Sequence, residues 1–171
     1  MSGYAALTME RVAARARASK ASLYRRWPSR AELVADAIRN RGPELACLPE
    51  TGTLRGDLIA LLRGMADQLN GPFGEAVRGV LAETLADPDR TAAARSRMTG
   101  LGGAFIAEIL ARAVARGEIS GWLPGSCAVR AAPVLLLHHF LVAGTPIPDQ
   151  VLTEIVDAVA LPALGAHDSR Q

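Results

Sequence analysis

Between its glycine and proline punctuation the chain repeats apolar residues at three- and four-residue steps. No alternating run persists, so an all-helical fold is predicted. Thr8 stands at an N-cap position before a helix over 9–16, with Met9, Val12, Ala13 and Ala16 on its inward side. Ser19 holds the same place before a short helix over 20–27. Pro28 stops that helix, because it has no N–H and disfavours helix in the residue before it. Ser29 and Glu32 have the spacing of a capping box and open a third helix with Leu33, Val34, Ala37 and Ile38 as its apolar stripe. Gly42-Pro43 breaks the pattern, and 42–52 is expected to be a hinge.

Past the hinge, Leu54, Leu58, Leu61, Met65 and Leu69 give one face of a helix that ends at Asn70-Gly71-Pro72. Further helices are predicted over 73–86, 89–116, 127–143 and 148–161. The long one carries a kink position at Gly102-Gly103 and a C′ glycine at Gly117. Residues 166–171 are expected to fray. The expected organisation is a small module at 1–41 followed by a larger helical domain at 53–165.

Half the residues are apolar but only 4% are aromatic, so the core must come from Ala, Leu, Val and Ile. No apolar run reaches the roughly eighteen residues that span a bilayer, and no secretory signal pattern opens the chain. A soluble cytoplasmic protein with no membrane partner is therefore expected. Cys47 and Cys127 are isolated, without a zinc-type spacing, and are expected to be reduced. The net charge of +2 conceals an asymmetry. Residues 1–41 hold nine basic and three acidic groups (+6), and the remainder ten and fourteen (−4). Of the nineteen basic residues only Lys20 is a lysine. A basic module on an acidic body suits a polyanionic partner for the module, although a solvated charged face fits the charge alone equally well.

Residues 8–33 together form the pattern of a helix-turn-helix unit: a helix, a three-residue turn, a second short helix, a sharp stop and a third helix. Val12, Ala13 and Ala16 can face Leu23 on the next helix, Ala13 and Ala16 are small enough to let the two helices approach closely, and Trp27 is placed to close that core. Lys20, Ala21, Ser22, Tyr24, Arg25 and Arg26 are then left outward, with side chains suited to phosphate oxygens and base edges. Thr8 and Arg30 also lie at helix starts, where backbone N–H groups favour anions.

The run from Thr8 to Ala16 (TMERVAARA), and the run from Ser19 to Leu33 (SKASLYRRWPSRAEL), resemble the DNA-binding signature of the TetR family, with Gly3-Tyr4 similar to the end of that family's first helix. The run Ala115-Arg116-Gly117-Glu118-Ile119 is a further similarity. The resemblance implies an all-helical homodimer that reads a palindromic operator in double-stranded DNA and is released by a small-molecule effector. It places Tyr24 and Arg30 at phosphate-contacting positions and Lys20, Ala21, Ser22 and Arg25 at groove-facing ones. With the caps Thr8 and Ser19, these are the DNA-binding candidates. Two departures stand out. The family has glycine in the motif's turn where this chain has Arg17, at a strain of roughly 1–2 kcal/mol. The similarity also begins only at the end of the family's first helix, which implies an N-terminally short module with a thin core. A dimeric small-molecule-binding protein on the same scaffold, with impaired DNA binding, remains the alternative.

In the larger domain there is no Gly-x-Ser-x-Gly, Walker or His-Glu-x-x-His pattern, so neither a catalytic set nor a cofactor is expected. His138 and His139 diverge by about 100° on a helix and do not converge on one metal ion. Met65, Leu69, Phe73, Leu81, Met98, Phe105, Ile109 and His138 lie on inward stripes and are the candidates for an effector pocket, with plain core as their other reading. Leu135, Leu136, Leu137, Phe140 and Leu141 exceed one buried stripe. With Ala158, Leu161 and Leu164, they suit a symmetric interface between two copies.

Overall fold

The computed structural model describes residues 4–40, 48–86 and 103–166. Arg41, Cys47, Met98 and Gly102, with parts of the expected hinge, of the long helix and of the tail, lie outside them. Among the described residues every regular element is helical.

The elements fall into two compact units. The first contains a 3-10 turn at Tyr4–Ala6, α1 (Met9–Ala16), α2 (Lys20–Arg26), α3 (Arg30–Asn40) and α5 (Pro72–Ala86). Local chemistry fixes its helix starts. Thr8 Oγ1 accepts the Arg11 N–H at 3.3 Å, Ser19 Oγ accepts that of Ser22 at 3.1 Å, and Ser29 Oγ accepts that of Glu32 at 3.1 Å. Each bond satisfies a donor that the first helical turn leaves without a partner. Met9, Ala13 and Leu23 form the small core of the motif, with Val12, Trp27 and Leu33 packed against it. Ala16 is exposed, so the close approach of α1 and α2 rests on Ala13. The buried face of α3 is Ala31, Val34, Ala35 and Ile38, packed on α5, while Ala37 is exposed. The inward stripe is therefore shifted from the one read in the sequence, because two surfaces compete for this helix: Leu33 serves the α1–α2 core and the others serve α5.

Arg17 adopts the left-handed conformation, with φ 51°. Its N–H bonds the Ala14 carbonyl and the Ala18 N–H bonds that of Ala13. This is a Schellman closure, and the same pair of bonds ends a second helix at Gly117, with φ 76°. Glycine meets the requirement freely at 117, whereas arginine meets it under strain at 17. Arg17→Gly should relieve ~1–2 kcal/mol of that strain against ~0.5–1 kcal/mol of added chain entropy. A small net gain in stability, visible as a higher urea midpoint, is expected.

The second unit contains α4 (Leu54–Leu69), α6 (Gly103–Ala115) and α7 (Cys127–Val142), followed by a C-terminal rod. The rod is α8 (Asp149–Glu154), a π-helical stretch Ile155–Ala160, and α9 (Leu161–Ala163). The sequence pattern predicts one plain helix there. The wide turns lie just before Pro162, whose ring crowds the carbonyl four residues back and which has no N–H to offer it. Leu58, Leu62, Ile109, Leu110, Leu136, Phe140, Leu152 and Val156 form the core, all of them almost fully buried. A side chain of this kind contributes about 1.5–3 kcal/mol through its removal from water.

A polar clamp joins the start of α4 to the end of α6. Asp57, fully buried, accepts from Thr51 N at 2.6 Å and Thr51 Oγ1 at 2.8 Å, and pairs with Arg116 Nη2 at 3.1 Å. Arg116 Nε also bonds Glu118, whose other oxygen accepts the Leu54 N–H at 2.6 Å. The carboxylate at the first turn of α4 is the charge that a helix start favours. Among the described residues no helix is long and apolar enough to cross a membrane.

Candidate nucleic-acid interface

The outward side of α2 carries the groove-facing candidates. Lys20, Ala21, Ser22, Tyr24 and Arg25 are all exposed, and Leu23 alone in this helix is buried. The helix is seven residues long and its single apolar anchor faces Met9 and Ala13, so the remaining side chains have no core to enter. Ser19 holds the start of the helix through Ser22 N, and its hydroxyl donates to Ser22 Oγ at 2.9 Å. Thr8, also exposed, does the same for α1.

Lys20 Nζ lies 3.1 Å from Glu10 Oε1, and both side chains are more than half exposed. A hydrogen bond from its own backbone N–H, and then the Lys20 ammonium, holds the Glu10 carboxyl below its usual value. An exposed pair of this kind is weak. Arg26 turns back over the Trp27 ring, 4.6 Å from its centroid, and the indole N–H donates to Asp36 Oδ2 at 3.1 Å. Trp27 is thus a packing residue that also orients α3.

Arg30 differs from the other candidates. Its side chain is about one-third exposed and its guanidinium is engaged within the first unit. Nε and Nη2 reach Glu83 Oε2 at 3.3 and 2.9 Å, and Nη1 reaches the carbonyls of Leu7 at 3.3 Å and Tyr4 at 3.5 Å. The guanidinium carbon lies 4.3 Å from the centroid of the Tyr4 ring. The Tyr4 hydroxyl donates to the same Glu83 oxygen at 2.7 Å. Burial first, and then the Glu83 carboxylate, push that hydroxyl well above its ordinary pKa. Sequence reasoning missed Glu83, as no local pattern announces a partner 53 residues away.

The effector-pocket candidates are divided. Leu69 and Ile109 are buried and Met65 and Phe105 half-buried in the second unit, whereas Phe73 and Leu81 are half-buried on α5 in the first. Met98 is outside the described residues. His138 is exposed on α7. An open depression of about 430 Å³ in the second unit is lined by other residues, among them Trp122, Leu123, Ser126, Ala163 and Leu164. Among the described residues no three His, Cys, Asp or Glu side chains are grouped to hold a metal ion. On α7, Val134, Leu141 and Val142 are exposed at 58%, 45% and 75%, beside His138. The π segment packed on this helix leaves Ala158 and Val159 exposed as well.

A capped cationic helix braced by a helix-turn-helix core, followed by an all-helical domain, defines the class. The profile of "Bacterial regulatory proteins, tetR family" matches residues 2–37, and that of "Tetracyclin repressor-like, C-terminal domain" matches 48–159. The chain belongs to the TetR family of helix-turn-helix transcriptional regulators, which are DNA-binding proteins and not enzymes. It is 36% identical over 162 residues to an HTH-type transcriptional regulator of Mycobacterium tuberculosis, covering 95% of this chain and 80% of that one. It is 34% identical over 165 residues to a Mycobacteroides abscessus protein named DNA-binding transcriptional repressor TetR, covering 93% and 84%. The crystal structure of TetR family transcription regulator SCO0332 superposes with a TM-score of 0.75 at 28% identity, covering 96% of this chain and 90% of that one.

Proposed function

We propose that this regulator is a homodimeric repressor whose paired α2 helices read a palindromic operator and which a small-molecule effector releases. The observation that carries the reading is the outward set Lys20, Ser22, Tyr24 and Arg25 on a helix too short to bury them. Thr8 and Ser19 cap the amino ends of α1 and α2, where exposed N–H groups would add contacts to phosphates. Two such helices read successive major grooves when they stand about 34–36 Å apart. The exposed apolar face of α7 supports a second copy as the partner that sets this spacing. An effector that prefers another spacing withdraws population from the DNA-bound form. The repressor role follows the Mycobacteroides abscessus relative, which is a DNA-binding transcriptional repressor.

The test is fluorescence anisotropy of a duplex carrying the region upstream of the protein's own gene, at two salt concentrations. Binding should weaken steeply with salt. Arg25→Ala should cost about 1–3 kcal/mol, or roughly tenfold to a hundredfold in affinity. Equal affinity of the variant and the unaltered chain would remove α2 as the reader, and no binding at either salt would remove the proposal that the protein represses through this upstream operator.

A further inference from the structure

A side chain that grips DNA phosphate must point its N–H groups away from the protein. Arg30 does the opposite, with all three nitrogens turned onto protein acceptors. It is the first residue of α3, and the carbonyls it holds belong to the segment that leads into α1. Leu7 directly precedes the Thr8 cap, and α1 in turn carries Met9 and Ala13, against which Leu23 of α2 is buried. A mechanical path therefore runs from Arg30 through Leu7 and α1 to the reader helix.

The face of α5 is shaped for this arrangement. Gly79 lies one turn before Glu83, and the Tyr4 ring rests directly on it. A Cβ at 79 would come within 2.1 Å of the ring. Glu83 then binds both the Tyr4 hydroxyl and the Arg30 guanidinium through one oxygen. A carboxylate in a cationic DNA-binding module works against binding on electrostatic grounds alone. Its presence there calls for a compensating role.

We infer that Glu83 and Arg30 are positioning residues for DNA binding: Glu83 fixes Arg30 and Tyr4 on α5, and through them the entry to α1 and the orientation of α2. The inference rests on the DNA-binding reading above, and it assigns Arg30 a role other than the phosphate contact that family resemblance implies. The two roles predict opposite signs. If Arg30 is a phosphate ligand, removing the competing carboxylate strengthens binding. If the pair positions the reader, removing it weakens binding.

Glu83→Gln, Arg30→Gln, their double variant and Gly79→Ala are to be compared with the unaltered chain on the same upstream duplex at two salt concentrations. Glu83→Gln is expected to weaken binding about tenfold, the scale of one charge-assisted hydrogen bond, despite making the protein more positive. The double variant should be no weaker than the worse single one, as expected for residues acting as one unit. Gly79→Ala, which pushes the Tyr4 ring aside, should weaken binding in the same direction. The salt dependence should be unchanged in all of them. Hydrogen exchange on the DNA-free protein gives a second reading: amides of residues 5–12 should exchange about tenfold faster in Glu83→Gln, while those of α4 and α7 hold. Tighter binding by Glu83→Gln would overturn the inference. So would a salt slope reduced by about one in Arg30→Gln, the mark of a lost phosphate contact. Unchanged exchange at 5–12 would overturn it as well. Should the unaltered chain not bind the duplex, the DNA-binding reading fails, and the exchange measurement alone decides whether Glu83 holds the segment.

Discussion

Arg116→Ala is expected to destabilise the second unit by about 3–5 kcal/mol, the cost of leaving a buried charge without its partner. Asp57 has no access to solvent, and Arg116 is the cation 3.1 Å from its carboxylate. The two Thr51 bonds would remain, but neither brings a positive charge. Glu118 would lose its partner in the same step and keep only the Leu54 N–H. Native domains are stable by only about 5–15 kcal/mol, so urea denaturation should show a large fall in midpoint. Arg116→Lys should recover only part of the loss, because an ammonium lacks the planar fork that spans two carboxylates. A loss for Arg116→Ala under about 1 kcal/mol, the range of exposed pairs, would show that the clamp is not a structural centre.

The second large effect concerns the apolar face of α7. Val134→Glu combined with Leu141→Glu should leave the single chain folded, because both positions are exposed in it. If that face meets a second copy, the two carboxylates would be buried against apolar side chains, at several kcal/mol for each ion. The variant should run as a monomer in sedimentation at micromolar concentration, with unchanged helical circular dichroism. Affinity for the upstream duplex should fall by about a hundredfold or more, because two linked half-sites become one. A persistent dimer would move the interface elsewhere on the molecule.

What could be read from the sequence was what short-range chemistry decides. Thr8, Ser19 and Ser29 cap helices where the sequence places them, since a cap needs only a hydroxyl and an N–H three residues on. The outward side of α2 was legible for a related reason: one leucine in seven residues leaves the helix a single inward direction. The strained turn at Arg17 could be named from the family's glycine. The stripe of α3 was partly misread because its second packing partner, α5, lies more than thirty residues along the chain. Arg116, Glu118, Arg30 and Tyr4 stand in runs that resemble the family, but their pairing with Asp57 and Glu83 could not be read, since those partners lie more than fifty positions away. Periodicity marks a face as covered without naming what covers it. Phe73 and Ile109 therefore look alike in sequence while belonging to different units.

The scarcity of lysine has a practical side. Lys20 holds the chain's one ε-amine, and its side chain is 59% exposed on the helix proposed to read the operator. Acylating reagents have no other side-chain amine to attack. Labelling read at Lys20, apart from the α-amine, therefore reports on α2 without an engineered handle, and its rate with and without duplex measures how far nucleic acid shields that helix.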